Sequence, residues 1–357
     1  MSSRVRAGLA AMRAPSAAAL LAVSLAAAIL LASGKNPVLV AETMLRQLQD
    51  QAVLCDIVNA AAAYALTAFA ASFGFAMGLF NIGVEGQYRV AAVTAAVAGA
   101  ELPAPPGTRV VLVVLVAMAV GGAYAAIPAL LKVFRGVHEV ISSIMLNAVA
   151  VGIVAYMAGE QGWGVLNGNN IGTKAMPPDG AVGSFSFGFG KIFGLSLLAL
   201  VVAAGYWVTL SRTRFGFELL ASGESGTAAR AGGVDAKRTT VAAMALSGAV
   251  AGLAALPELT SRDHSYLVTS TAGYGFAGVA VALIGRGHPV GVVAGALLWA
   301  FLDKSAVALD AVSVPKEIVL ILQGTAVLAV VIAHELTRRF EAAQAQRRAR
   351  TAVGGAA

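Results

Sequence analysis

The sequence is built from long apolar runs, at roughly 15–33, 54–80, 87–101, 109–131, 140–158, 192–210, 239–257, 275–285, 288–303 and 317–334. A helix needs about 20 residues to cross the ~30 Å core of a bilayer, and most of these runs are near that length. In lipid every backbone polar group must be satisfied within its own segment, so the runs are expected as helices. No alternating pattern of a membrane barrel is present. Composition agrees, with 58% of the 357 residues hydrophobic and 12% charged, against about 25% charged in a soluble domain. The 40 glycines suit close helix contacts. The expected fold class is all-α, a polytopic membrane helical bundle of about ten transmembrane segments.

Charge sets the expected orientation. With the N-terminus inside and ten crossings, 17 of the 25 basic residues fall on inner segments and 8 outside. The opposite orientation inverts this ratio and breaks the positive-inside rule. Both termini are therefore expected to be cytoplasmic. The same rule accounts for the net charge of +7 without nucleic acid as a partner. The first run follows Arg4, Arg6 and Arg13, as a signal peptide would. It is long, however, and no persuasive cleavage site precedes Lys35, so a retained helix is expected. The implied organisation is a cytoplasmic segment 1–14, a membrane domain 15–335 and a basic cytoplasmic tail 336–357. Within the membrane domain, loop 159–191 falls outside and loop 211–239 inside. Cys55 is the sole cysteine and forms no internal disulfide.

Two runs are too short for plain crossings. Run 87–101 ends at Pro103, Pro105 and Pro106, and run 275–285 is only about 16 Å long at ~1.5 Å per residue. Short, glycine-interrupted segments point to discontinuous helices lining a solute pathway.

Catalytic signatures are missing. There is no phosphate-binding loop, no H-E-x-x-H, no paired cysteine and no nucleophile elbow. His138, His264, His288 and His334 lie far apart. No catalytic residue, metal or cofactor is expected, and any ATP hydrolysis belongs to another chain.

Four stretches carry polar or glycine signals instead. In Phe80–Gln87, Gly83 and Gly86 weaken the helix, while Asn81, Glu85 and Gln87 place hydrogen-bonding groups between apolar runs. A membrane carboxylate costs ~3 kcal/mol or more without a partner or water. Glu85 either touches substrate and holds a turn beside the pathway, or sits solvated near Arg89. In His138–Asn147, Glu139 suits a helix N-terminus; Asn147 either bonds across helices or faces substrate. The loop Gly223, Glu224, Ser225, Gly226, Thr227, Ala228, Ala229, Arg230 reads as a short helix from Ser225 to Ala231 with Ser225 as N-cap. It is either a docking knob for a cytosolic partner or a solvated loop helix. In Gly273–Pro289, Gly275 and Gly278 suggest close packing, Phe276 is a pathway candidate, and Arg286 is an inner-loop or a buried charge.

Together FNIGVEGQ, HEVISSIMLN, GESGTAARAGGV and GYGFAGVAVALIGRGHP, in that order from about Ile57 to Ala333, resemble permease subunits of bacterial ABC importers for simple sugars, nucleosides and branched-chain amino acids. FNIGVEGQ resembles the nucleoside branch, which works with basic-membrane-protein lipoproteins. The resemblance implies a multi-pass protein of the bacterial inner membrane. It also implies a heterodimer with a second related permease, a cytosolic ABC ATPase and an external substrate-binding lipoprotein. Gly223 to Val234 would be the segment that couples to the ATPase. Loop 159–191, with Trp163, Asn167, Asn169 and Asn170, offers an irregular surface to the lipoprotein.

The reading is a nucleoside importer permease. A simple-sugar permease is the first alternative. A proton-coupled secondary transporter using Glu85 and Arg286 is the second, and a membrane-embedded enzyme is the third.

Overall fold

A computed structural model describes residues 3–105, 107–167, 169–267, 269–270 and 273–354. The chain divides into two units, residues 50–301 and residues 1–49 with 302–357.

The smaller unit contains α1 (Ser3–Ala32), α2 (Pro37–Arg46) and the C-terminal helix. Asn36 caps α2 by accepting the N–H of Val38 at 3.0 Å, and Pro37 fits the first helical position. The chain bends by 116° between Ser16–Ala32 and Pro37–Gln49.

The larger unit begins with α3 (Gln51–Ala76), α4 (Val84–Glu101), α5 (Arg109–Arg135) and α6 (Glu139–Ala158). Two antiparallel hairpins follow, β1 (Gly164–Asn167) with β2 (Asn170–Thr173) and β3 (Ser184–Phe187) with β4 (Gly190–Phe193). Next come α7 (Leu198–Arg212), α8 (Arg214–Glu224), α9 (Gly226–Ala231) and α10 (Ala236–Gly252). A single turn, α11 (Leu256–Glu258), passes into a π-helical stretch at Leu259–Asp263. Then α12 (Tyr274–Gly285) and α13 (Pro289–Asp310) lead to α14 (Lys316–Gly354).

Among the described residues, seven helices are long and apolar enough to cross a membrane, or eight if the bent pair counts as one span. The ten runs read from sequence differ from this at two places. Run 87–101 lies inside α4, whose first turns carry Glu85, Gln87 and Arg89 and dilute its apolarity. Run 275–285 is α12, twelve residues and about 18 Å long. Arg89 sits within α4 with its guanidinium beside Tyr266.

The core of the larger unit is close-packed on small residues. On α5, Ala117 and Gly121 meet Gly252 and Gly248 of the antiparallel α10, and any Cβ at Gly121 would strike the Gly248 carbonyl. Small residues four apart let two helix backbones touch, which is how helices gain contact energy in lipid. The loop 159–191, read as irregular, holds most of both hairpins. Asn59 of α3 fastens the second: its Nδ2 donates to the Lys191 carbonyl at 2.8 Å and its Oδ1 accepts the Phe193 N–H at 2.9 Å.

Candidate translocation site

Beyond Ala76 the chain does not continue into the next helix at the bundle end. Gly78 takes φ +72°, a turn glycine serves best, and the Leu79 N–H bonds back to the Gly74 carbonyl at 2.9 Å. Residues 79–83 then double back along α3, and α4 starts inside the bundle. Such a non-helical stretch is tolerable only if its backbone and side chains are satisfied by protein.

Asn81 supplies much of that. It is fully buried, and its Nδ2 donates to Gln87 Oε1 at 3.0 Å and to Ser247 Oγ at 2.8 Å. Its Oδ1 accepts from Gln87 Nε2 at 2.9 Å and from the Gly83 N–H at 3.1 Å. Ser247 in turn donates to the Ala70 carbonyl at 2.6 Å. Asn147 of α6 brackets the same stretch, accepting the Gly86 N–H and donating to the Ile82 carbonyl, each at 2.9 Å. Of the two roles open to Asn147 on sequence, a bond across elements is the one this conformation contains.

Glu85 is 5% exposed. Its Oε1 accepts the Gly273 N–H at 2.8 Å and its Oε2 the Gly275 N–H at 2.9 Å. The Tyr88 hydroxyl adds a third donor at 3.2 Å. The solvated arrangement near Arg89 is therefore not the one observed. The first turn of α12 is held by a carboxylate from the first turn of α4, and both helix N-termini favour a negative charge there. Gly273 takes φ +102°, which a side chain resists, and Gly275 lies against the backbone of Val84 and Glu85. Gly278 lies against Thr67, and Tyr64 meets Tyr274 edge-on at 5.2 Å, so α12 runs alongside α3 in the same direction. Phe276, on the same helix, is 53% exposed and apart from this cluster. Arg286 is exposed in the turn after α12.

The loop 211–239 is helical. Thr213 caps α8, and Ser225 caps α9 by accepting the Ala228 N–H at 3.3 Å. Gly226, Thr227, Ala228 and Arg230 are exposed, while Ala229 is buried. Phe217, Leu220, Ala228 and Val234 line an open groove between the two helices. Gly223 sits directly on the end of α3: a Cβ there would lie 2.6 Å from the Ala76 carbonyl and 3.2 Å from Met77. The loop thus abuts the point where the broken stretch begins.

The family described as "Branched-chain amino acid transport system / permease component" matches residues 53–331. The chain belongs to this permease family. The permease is 33% identical over 262 residues to the guanosine ABC transporter permease protein NupP of Bacillus subtilis, covering 72% of this chain and 74% of that one. It is 28% identical over 309 residues to the nucleoside ABC transporter permease protein NupB of Lactococcus lactis, covering 83% and 84%. It is also 28% identical over 302 residues to the glucose ABC transporter permease protein TsgB13 of Haloferax volcanii, covering 82% and 79%. No solved structure matches. The permease is a multi-pass membrane protein and the transmembrane component of an ABC transport system.

Sequence reasoning about the permease missed the partners of its polar residues. Gly273 and Tyr274 lie in the stretch Gly273–Pro289 but without a link to Glu85 or Tyr88, and Ser247 and Tyr88 lie outside the four stretches. Their only local signal is a hydroxyl or a glycine in an apolar run.

Proposed function

We propose that this permease is the membrane subunit of an ATP-driven importer of nucleosides. The observation that carries the substrate is the 33% identity, over 72% of the chain, to a relative named as a guanosine permease. The glucose permease relative favours a second reading, a simple sugar. The full system would contain a second related permease, a cytosolic ABC ATPase and an external substrate-binding lipoprotein. Bacillus subtilis has two relatives named as guanosine permeases, which supports a pair. ATP hydrolysis belongs to the ATPase.

The membrane domain, 15–335, would have ten segments: the eight counted as spans, plus α4 and α12 as discontinuous helices that start within the bundle. Both termini, with the segments 1–14 and 336–357, and the loop 211–239 would be cytoplasmic, and the loop 159–191 external. Gly223 to Arg230 would seat in the ATPase. Movement there would reach Met77 through Gly223 and tug on the stretch that holds Asn81, Glu85 and Gln87. Asn81, Glu85, Gln87 and Asn147 would shape the pathway as positioning groups, with Phe276 facing it from α12. Alternating access then follows from shifting short helices about a fixed break.

The test is uptake by proteoliposomes holding the complete transporter. ATP-dependent accumulation of labelled guanosine, with excess glucose failing to compete, is the expected result. Accumulation of glucose with no nucleoside uptake overturns the substrate. Gradient-driven uptake without any ATPase subunit overturns the transporter class.

A further inference from the structure

The β3–β4 hairpin leaves large apolar side chains uncovered. Phe185 and Phe187 alternate along β3, so they share one sheet face, and they are 59% and 55% exposed. Phe189 follows at the turn. From Gly180 to Leu197 the only charged residue is Lys191, so little in this segment favours water over an apolar contact. Contiguous exposed apolar surface marks contact with another body.

The depth of the hairpin is set by α3. A Cβ at Gly188 would strike the Gln51 side chain, and one at Gly190 would lie 2.8 Å from Cys55 Cβ. Asn59 holds the backbone of Lys191 and Phe193. The turn therefore sits beside the first residue of α3. Phe187 and Phe185, paired with Gly190 and Ile192, sit progressively further along it. Gln51 to Asn59 is ~12 Å of helix. Over that length the uncovered surface of α3 changes from polar, at Gln51 and Asp56, to apolar, at Val58. With 26 residues, α3 is ~39 Å long against a hydrocarbon core of ~30 Å. Its polar start belongs in the headgroup layer, and the hairpin lies at that level.

We propose that this hairpin is a lipid anchor. Phe185 and Phe187 enter the boundary between headgroups and acyl chains, and the turn at Phe189 stays in water. Helices that lie in a membrane interface bury Trp, Phe and Leu about 5–10 Å deep, and a strand with Phe at alternate positions makes the same one-sided face. The face is continuous with a lipid-facing surface: Leu197, just before α7, and Leu200 and Val201 within it are exposed as well. Backbone chemistry limits the depth. Among the described residues β3 pairs with β4 only, so its outer edge needs hydrated headgroups, and only its side chains can enter hydrocarbon. Lys191, exposed on the opposite sheet face, suits a lipid phosphate. Because Asn59 ties the hairpin to α3, the anchor fixes the depth of the helix whose far end is the break at Gly78. The inference holds for any substrate.

The experiment attaches a nitroxide to Phe185→Cys, Phe187→Cys and Phe189→Cys in turn, in the complete transporter reconstituted into phosphatidylethanolamine–phosphatidylglycerol vesicles. Cys55 is buried and does not compete for the label. Collision with oxygen, which concentrates in lipid, is compared with collision with a water-soluble nickel chelate. The oxygen-to-nickel ratio is expected to fall in the order 185, 187, 189. It should be at least about threefold higher at 185 than at 189, because the headgroup layer between them is on the order of 5–8 Å thick. If Phe185→Cys does not assemble, Phe187→Cys against Phe189→Cys decides. Equal ratios at the three positions, with high nickel access, overturn the anchor. A fall in that access on adding the binding lipoprotein would make the face a protein dock instead. Low access of both reagents at 185 and 187 means that a protein subunit covers the face, and overturns the anchor too.

Discussion

Glu85 and Gly275 are 190 residues apart in sequence, yet the carboxylate of one accepts the backbone N–H of the other at 2.9 Å. With Gly273 on the second oxygen, the start of α4 holds the start of α12. A hydrogen bond to a charged group contributes ~1.5–3 kcal/mol, and a buried amide left alone costs a similar amount.

Glu85→Ala removes both acceptors. It is expected to cost ~3 kcal/mol or more in stability and to lower uptake by at least about tenfold. Glu85→Gln keeps one acceptor oxygen for two amides that use separate oxygens, so an intermediate loss is expected. Thermal unfolding of the purified complex and uptake in proteoliposomes check both. Unchanged stability and uptake in Glu85→Ala would remove the clamp from the mechanism.

Gly226 and Ala229 differ in a way that separates docking from folding. A Cβ at Gly226 would meet nothing within 4 Å, whereas Ala229 is buried within the loop. Gly226→Leu is expected to leave the permease folded while disconnecting transport from ATP hydrolysis. The measurement is nucleoside moved per ATP hydrolysed in the complete transporter. A normal ratio would take this loop out of the coupling path.

Gly223 is expected to be the tight point of that path. The added methyl of Gly223→Ala falls 2.6 Å from the Ala76 carbonyl, so α8 must shift away from α3. Overpacking of this kind costs ~1–3 kcal/mol. Slower uptake, with binding of the ATPase subunit retained, is the expected outcome, read by uptake and by co-purification. Full-rate uptake would show that α8 and α3 need not touch.

Gly248 tests the small-residue core. Gly248→Leu drives a branched side chain into the Gly121 backbone, and a loss of ~3 kcal/mol or more is expected. The yield of monodisperse protein should collapse. Wild-type yield would mean that α5 and α10 are not held by backbone contact.

Topology is open to labelling because the native thiol, Cys55, is buried. Thr227→Cys is expected to react with a membrane-impermeant maleimide only from the cytoplasmic side. Phe189→Cys, at a position 97% exposed on the second hairpin, should react only from the other side. Labelling of both from one side would overturn the orientation.

Local features were legible in the sequence. Ser225 caps a six-residue helix because capping involves only neighbours three residues on, and the spacing alone foretells it. The long spans were legible for the same reason, since apolar length is a property of one segment. The two hairpins are not evident from sequence, although Phe187 precedes a glycine, Gly188, at a tight turn. Such short strands give a weak signal beside helices of 20 residues or more.

The sequence by itself therefore determined that this chain lives in lipid, that two segments are too short to cross simply, and that Glu85 and Asn81 need partners there. Only the tertiary structure decided who those partners are. Glu85 is satisfied by the amides of Gly273 and Gly275, and Asn81 by Gln87 and Ser247. The physical reason is that a buried polar group fixes the need for a hydrogen bond but not its source. Any amide or hydroxyl brought alongside will serve, and packing of helices distant in sequence selects the one that arrives.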